Sequence, residues 1–322
     1  MDKEEILKKY ENAPPISFVA FGLKLLDAKS QEKWTVPDRV LIKAAVTGAL
    51  MDREDNPTQP YTVDEIIQDS IECVDAGATS IHVHVRDESG YPSADRALVA
   101  KVVTALRDRY GGKIHLDGEI ANGSTFAQMV EPAIDDFLES GAVNTTASYL
   151  GEVGVVMPKE TAVGTVELLQ TMGKKPQVAV YNMGDIDNAY RWLIRPGILE
   201  EPFEWAIVPA MPGCAPMYDP VGMCETMIGF VRRIKDVDPA EHPFIWVASS
   251  GRASVFLCTL SILLGLHVRV GKEDALYRWP HKDDIVKSNR EVVEETVALA
   301  RLLGREPMGA NEYRRLMGMK EM

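Results

Sequence analysis

No stretch of the 322-residue chain reaches the roughly 18 uninterrupted apolar residues that a membrane-spanning helix needs. The longest candidate, Val255 to Val270, is interrupted by Thr259, Ser261, His267 and Arg269, and reads as buried core. Positive charge is in deficit: 35 Lys and Arg stand against 48 Asp and Glu, a net −13. That balance excludes a broad surface for nucleic acid or an anionic membrane, since both need a dense basic footprint. A small basic pocket for a phosphate or carboxylate is still allowed. Cysteine is scarce, and Cys73, Cys214, Cys224 and Cys258 form no CxxC pair. A disulfide framework is therefore not expected, and a cytoplasmic location is. The N-terminus, MDKEEILKKY, is charged where a signal peptide would be apolar. Neither GxGxxG nor GxxxxGK(S/T) follows the first strand-like run, which removes the usual nucleotide-binding argument for an open doubly wound sheet.

What the chain does have is an alternation. The first 38 residues read as an N-terminal extension, with a short charged helix over Asp2 to Tyr10 that Pro14-Pro15 breaks. From residue 39 to residue 322, strand-length apolar runs are each followed by a stretch of helical period. The runs are VLIKAAVTGA (40–49), SIHVHV (80–85), KIHLDGE (113–119), AVNTTAS (142–148), QVAVYN (177–182), FEWAIVPA (203–210), FIWVASS (244–250) and HVRVGKE (267–273). Thr62-Val-Asp-Glu65 is a capping box that opens one helix, and Gly77 closes it. The last long helix is predicted over Lys287 to Leu303, ending before Gly304. Eight such units over about 265 residues match an α/β fold of the (β/α)8 TIM-barrel type in count and length.

In that architecture functional groups sit at the C-terminal ends of strands. Strand alternation puts His82 and His84 on one face, about 7 Å apart along the strand, where two imidazoles can converge on one ion. The alternative is a pair of packed, hydrogen-bonded histidines. Glu273, at the mouth of strand eight, can supply a hard oxygen as third ligand, and His2Glu leaves a coordination position open. Asp274 and Arg269 would then flank the ion as base and orienting cation. The competing reading of Arg269, Lys272, Glu273 and Asp274 is a surface ion-pair cluster.

Several stretches carry a family resemblance: LIKAAVTGA, NPTQPYTVDEI, AGATSIHVHVRDESGYPS, QVAVYNMGDI, LGLHVRVGKED and SNREVVEETVALARLLGREP. From about Val40 to Pro307 the chain resembles the β-keto acid cleavage enzymes. The resemblance implies a zinc-dependent barrel that condenses a β-keto acid with acetyl-CoA as cosubstrate, giving acetoacetate and a new acyl-CoA thioester by an enolate and retro-Claisen route. It maps the metal ligands onto His82, His84 and Glu273, the general base onto Asp274, and the base's partner onto Arg269.

The chain departs from the family at three places. Leu50 stands where aminohexanoate-type members carry an acid that holds the substrate ammonium, and near Ala179 strand five lacks a family glutamate. Strand three reads His115-Leu-Asp117-Gly-Glu119 instead of a Ser/Thr-Gly-Gly segment. Asp117 and Glu119 share a face and are expected either to recognise a cationic or polyhydroxyl substrate end or to cap a neighbouring loop. Asn144 and Thr145 on strand four and Asn182 on strand five are further substrate-binding candidates. Ser250, Gly251 and Arg252 end strand seven at a helix start, where backbone donors can hold the phosphate or pantetheine of CoA. His115, His242, His267 and His281 are read as structural or exposed.

Rival readings are a metal-dependent hydrolase, a class II aldolase-like lyase that needs no CoA, and a non-catalytic barrel. The hydrolase is disfavoured because QVAVYN and FEWAIVPA contain no histidine. A homo-oligomer, dimer or tetramer, is the expected assembly.

Overall fold

The computed structural model describes residues 1–15, 28–118, 125–134 and 137–322. Contacts divide the chain into two units, Met1–Val36 and Pro37–Met322. In the first unit, Lys3–Lys9 is a helix opened by a capping box between Asp2 and Glu5.

The second unit is a closed barrel of eight parallel strands. They are β1 (Ile42–Ala45), β2 (Ser80–Val83), β3 (His115–Gly118), β4 (Ser140–Asn144), β5 (Lys175–Val180), β6 (Glu204–Ile207), β7 (Phe244–Ala248) and β8 (His267–Val270). They pair in chain order, and β8 closes the ring on β1. The helices that follow them are α1 (Val63–Ala76), α2 (Arg96–Tyr110), α3 (Phe126–Ile134), α4 (Lys159–Thr171), α5 (Met183–Ala189), α6 (Pro220–Lys235), α7 (Ser254–Leu263) and α8 (Asn289–Leu302). Each of the eight apolar runs thus supplies one barrel strand. Among the described residues no helix is long and apolar enough to cross a membrane. Residues 255–270 form most of α7 and all of β8.

Local chemistry explains the helix ends. Thr62 Oγ1 accepts from the Glu65 N–H while the Glu65 carboxylate accepts from the Thr62 N–H, and Gly77 ends α1 with φ +116°, a left-handed turn that glycine takes without penalty. α8 begins two residues later than its apolar period suggests. Ser288 caps it, its hydroxyl accepting from the Glu291 N–H, and the capping residue is held in extended conformation.

Two apolar clusters fill the space between strands and helices, one over β1–β3 and β8 and one over β4–β7. A third lies inside the barrel and includes Ala179, Ala206, Trp246 and Ala248. The barrel interior is therefore apolar toward β5–β7, except for Glu204 at the start of β6 and Gln177 beside it on β5, and charged toward β8 and β1–β3. Register makes it so: Arg269 pairs with Lys43 across β8 and β1, and His82 with Asp117 across β2 and β3. The opposite end of the barrel is closed by a short helix, Ala310–Leu316, about which the strand-then-helix alternation is silent. Its Tyr313 hydroxyl donates to the Glu204 carboxylate at 2.7 Å, and its ring meets His115 edge-on at 4.8 Å.

Two histidines make this end acid-sensitive. His267 Nδ1 accepts the Leu41 N–H at 3.0 Å, and His115 lies between the hydroxyls of Ser80 and Ser140. Burial lowers His115 to about 4 and His267 to about 3, from an ordinary 6.5. Both stay neutral in the fold, whereas the unfolded chain takes up protons below about 6.5. The stability they contribute is whole above that pH and is lost as pH falls toward their folded values. At roughly 1.36 kcal/mol per unit, each removes about 2 kcal/mol by about pH 5. His267→Asn keeps an acceptor for Leu41 and removes the titration. Its urea-denaturation stability should drop about 2 kcal/mol less than the parent's between pH 7 and pH 5. Equal drops would mean that His267 does not control acid lability.

Candidate metal centre at the barrel mouth

His82 ends the inward row of β2, and His84 follows just beyond the strand. Their Nε2 atoms are 3.2 Å apart, and each lies 3.5 Å from Glu273 Oε1. One ligand atom from each of the three residues falls within 4.8 Å of the others. Glu273 Oε2 is buried and has no hydrogen-bond partner among the described residues. A buried orphan carboxylate oxygen is costly, and a cation beside it removes the cost. The donor set and this orphan oxygen both fit a divalent ion.

The surface ion-pair alternative does not survive. Arg269, Lys272, Glu273 and Asp274 are all buried. Arg269 clamps Asp274 with Nε and Nη2, the first at 2.9 Å, and reaches Glu273 Oε1 at 3.2 Å with Nη2. Burial works to raise Glu273, but Arg269, then His82 and His84, hold it below the usual carboxylate range. Burial pushes Asp274 up to about 6 against the pull of Arg269, with Glu273 adding to the rise. One acid is thus kept charged for a cation, and its neighbour is brought toward the range of a general base.

The turn that carries them is fixed by close backbone approach. Gly271, at φ +140°, packs on the Ala45 carbonyl, where a Cβ has no room. Gly48 lies against the Glu273 side chain and is likewise closed to a Cβ. Arg86, of the HxHxRD motif, is buried and donates to the carbonyls of Gly48, Met51 and Gly90, which ties down the loop after β1.

Three expectations need correction. Asp117 does not wait for a substrate. It is fully buried, with Oδ1 2.9 Å from His82 Nδ1 and Oδ2 paired to Lys43. Burial would raise this carboxyl, but Lys43 and then His82 carry it well below its usual range. Ser250 and Gly251 are not free donors for a phosphate: the Ser250 hydroxyl goes to the carbonyls of Pro209 and Ala248, and the Gly251 N–H to that of Asp274. Thr145 turns its hydroxyl to the Asp185 carbonyl at 2.8 Å, away from the inward row that Asn144 occupies.

The other candidates are spread around the rim. Glu119 lies outside the described residues. Asn144 Oδ1 is buried with no hydrogen-bond partner among the described residues. The Asn182 amide ties loops together, donating to Ser148 Oγ at 2.8 Å and accepting from the Ala215 N–H at 3.0 Å. Leu50 is exposed on the loop after β1. Arg252 stands at the edge of a cavity of about 580 Å³ lined also by Met211, Met217, Tyr218, Phe256 and His281. Its guanidinium lies 3.7 Å from the Tyr277 ring centroid and pairs with Asp283. Lys43 and Trp246 were not among the sequence candidates. A lysine on the inward face of a barrel strand is itself the signal, because lysine is almost never fully buried unless paired.

A family profile described as beta-keto acid cleavage enzyme matches residues 39–319. The chain is 31% identical over 288 residues to a 3-keto-5-aminohexanoate cleavage enzyme of Fusobacterium nucleatum, covering 88% of this chain and 99% of that protein. It is 25% identical over 290 residues to a 3-oxoadipate:acetyl-CoA acetyltransferase of Cupriavidus necator, covering 88% and 95%. Among solved structures, the binary complex of ObcA with oxaloacetate shares the fold with a TM-score of 0.69 at 18% identity, over 82% of this chain and 68% of that one.

Proposed function

The chain belongs to the beta-keto acid cleavage enzyme family, and on that premise we propose that it exchanges the acyl part of a β-keto acid with the acetyl group of acetyl-CoA. The observation that carries this reading is the convergence of His82, His84 and Glu273 beside an Arg269-clamped Asp274. The three ligands form a His2Glu set that suits zinc. Zinc held there would supply Lewis-acid polarisation of the keto acid's carbonyl and carboxylate oxygens.

The chain's own residues account for the proton and the positioning. Asp274 takes a C2 proton from the keto acid. The C2 carbanion attacks the acetyl carbonyl of acetyl-CoA, the C–S bond breaks and CoA thiolate leaves. The thiolate adds to the original keto carbon, and the bond from that carbon to C2 breaks. One acetoacetate and one new acyl-CoA result, and Asp274 returns its proton to C2 of the acetoacetate. Arg269 holds Asp274 in orientation through these steps. Asn144, with its orphan Oδ1, faces the same interior and is assigned to the substrate. The CoA arm is assigned to the cavity beside Arg252, where apolar walls and a rim cation suit pantetheine and phosphate. Leu50 at the loop after β1 argues against an ammonium tail. Free cysteines are consistent with a cytoplasmic setting, and the assembly we infer is a homo-oligomer.

Zinc-loaded protein should convert acetyl-CoA and at least one member of a panel of β-keto acids, with cationic, neutral and anionic tails, into acetoacetate. Acetoacetate and the new thioester should appear in equal amounts. Cleavage that proceeds without acetyl-CoA would favour the lyase reading, and no product from any tail class would defeat the proposal.

A further inference from the structure

Lys43 lies in the middle of β1, on the face turned into the barrel, and its side chain has no exposure at all. Taking an ammonium out of water costs several kcal/mol, and a fold keeps such a charge only where partners surround it. Here the partners are specific. Nζ pairs with Asp117 Oδ2, and the Trp246 ring lies under it at 4.2 Å. Trp246 is held in turn by Nε1, which donates to Glu204 at 2.9 Å, and the Arg269 guanidinium lies 5.3 Å from the same ring. Lys43 therefore touches Asp117, which contacts His82, and Trp246, which faces the Arg269 guanidinium that reaches Glu273.

The line from Lys43 to the ligands runs through one carboxylate. Asp117 presents Oδ2 to Lys43 and Oδ1 to His82 Nδ1. An imidazole that accepts at Nδ1, or whose ring is free to turn, does not present its Nε2 lone pair toward Glu273 and His84. A carboxylate receiving the Nδ1 proton fixes both tautomer and ring angle. A carboxylate held at one oxygen alone can still pivot about its own Cβ–Cγ bond. The buried ammonium at its second oxygen removes that freedom.

We propose that Lys43 is a positioning residue for the metal centre, holding Asp117 so that His82 offers Nε2 to the ion. This rests on the reading of His82, His84 and Glu273 as metal ligands. It assigns to Lys43 a share of the affinity, although Lys43 touches no ligand atom.

The test is the zinc affinity of the full chain, measured by chelator competition, for the parent, Lys43→Met, Asp117→Asn and the double variant. Thermal melts of the metal-free proteins are run beside it. Lys43→Met and Asp117→Asn should each weaken zinc by about 10–100-fold, the range for groups that orient a ligand from behind. Because both act through the same carboxylate, the double variant should bind no more weakly than Asp117→Asn alone. A purely structural lysine would lower the melts and leave zinc affinity unchanged, which would overturn the proposal. So would losses that multiply in the double variant. Should Lys43→Met fail to fold because Asp117 is left unpaired, Lys43→Gln takes its place, being neutral and one bond shorter than the lysine that reaches Asp117 Oδ2: a zinc affinity about tenfold or more below the parent's supports the proposal, and the parent's affinity overturns it. A parent protein that binds no zinc would overturn the metal reading and this one with it, whereas a parent that binds as tightly as K43M overturns only the role of Lys43.

Discussion

Asp274→Asn protein is expected to keep its metal and to lose about 10²–10⁴-fold in kcat/KM, the range for removing a positioned general base. Asparagine has nearly the same shape and leaves one carbonyl oxygen for Arg269, so the Glu273 turn should keep its place. What it cannot do is take a proton. The parent carboxylate is buried, clamped by two guanidinium nitrogens, and brought by burial toward the neutral range. That combination gives a base whose direction is fixed and whose charge is not locked away. The distinguishing measurement is solvent-deuterium exchange at C2 of the keto acid without acetyl-CoA. The parent should accelerate it, and the variant should not. If the variant exchanges C2 as fast as the parent while its turnover falls, Asp274 acts on a later step and the assignment is wrong. Metal content, measured on the same preparations, separates loss of the base from collapse of the site.

How the site is assembled shows which parts of it the sequence could disclose. The eight strands are local features: each is an apolar run of strand length bounded by caps and glycines, and every run forms a barrel strand. The His82–His84 pair and the Glu273–Asp274 turn were equally legible, because strand alternation and the position of strand ends decide which face and which end they occupy. Asp117 shows the limit. Its inward face follows from alternation, but its depth follows from the β2–β3 register, which sets it beside His82, 35 residues away. Lys43, 74 residues from Asp117, then occupies its other oxygen. No local pattern carries those pairings. The same holds for Ser250 and Gly251, which sit where a helix start should offer donors. Their donors are satisfied by carbonyls from the β6 and β8 loops. Helix-end reasoning counts free donors, and long-range packing decides how many remain free.

Glu273→Gln should weaken zinc by at least about 100-fold, or ~3 kcal/mol at about 1.4 per decade, while leaving the metal-free protein as stable as the parent. The second half of that expectation is what makes the experiment informative. In the metal-free parent, Glu273 is a buried charge with one oxygen on Arg269 and the other without a hydrogen-bond partner among the described residues. Replacing it with a neutral amide of similar volume removes the desolvation cost of the buried carboxylate, and Arg269 is not left unpaired, because it keeps Asp274 on Nε and Nη2 and the amide oxygen can still accept from it. A residue kept for the fold would show the opposite balance, with a large loss in the metal-free melt. Binding to the folded state alone raises stability by RT ln(1 + [L]/Kd), about 2.7 kcal/mol at a hundredfold excess over Kd. The parent should therefore melt at a clearly higher temperature with zinc than without it, and the Glu273→Gln protein at nearly the same temperature in both conditions. A variant that still gains the parent's full zinc-dependent shift would remove Glu273 from the ligand set. Such a result would leave the buried Oε2, which has no hydrogen-bond partner among the described residues, without a chemical reason.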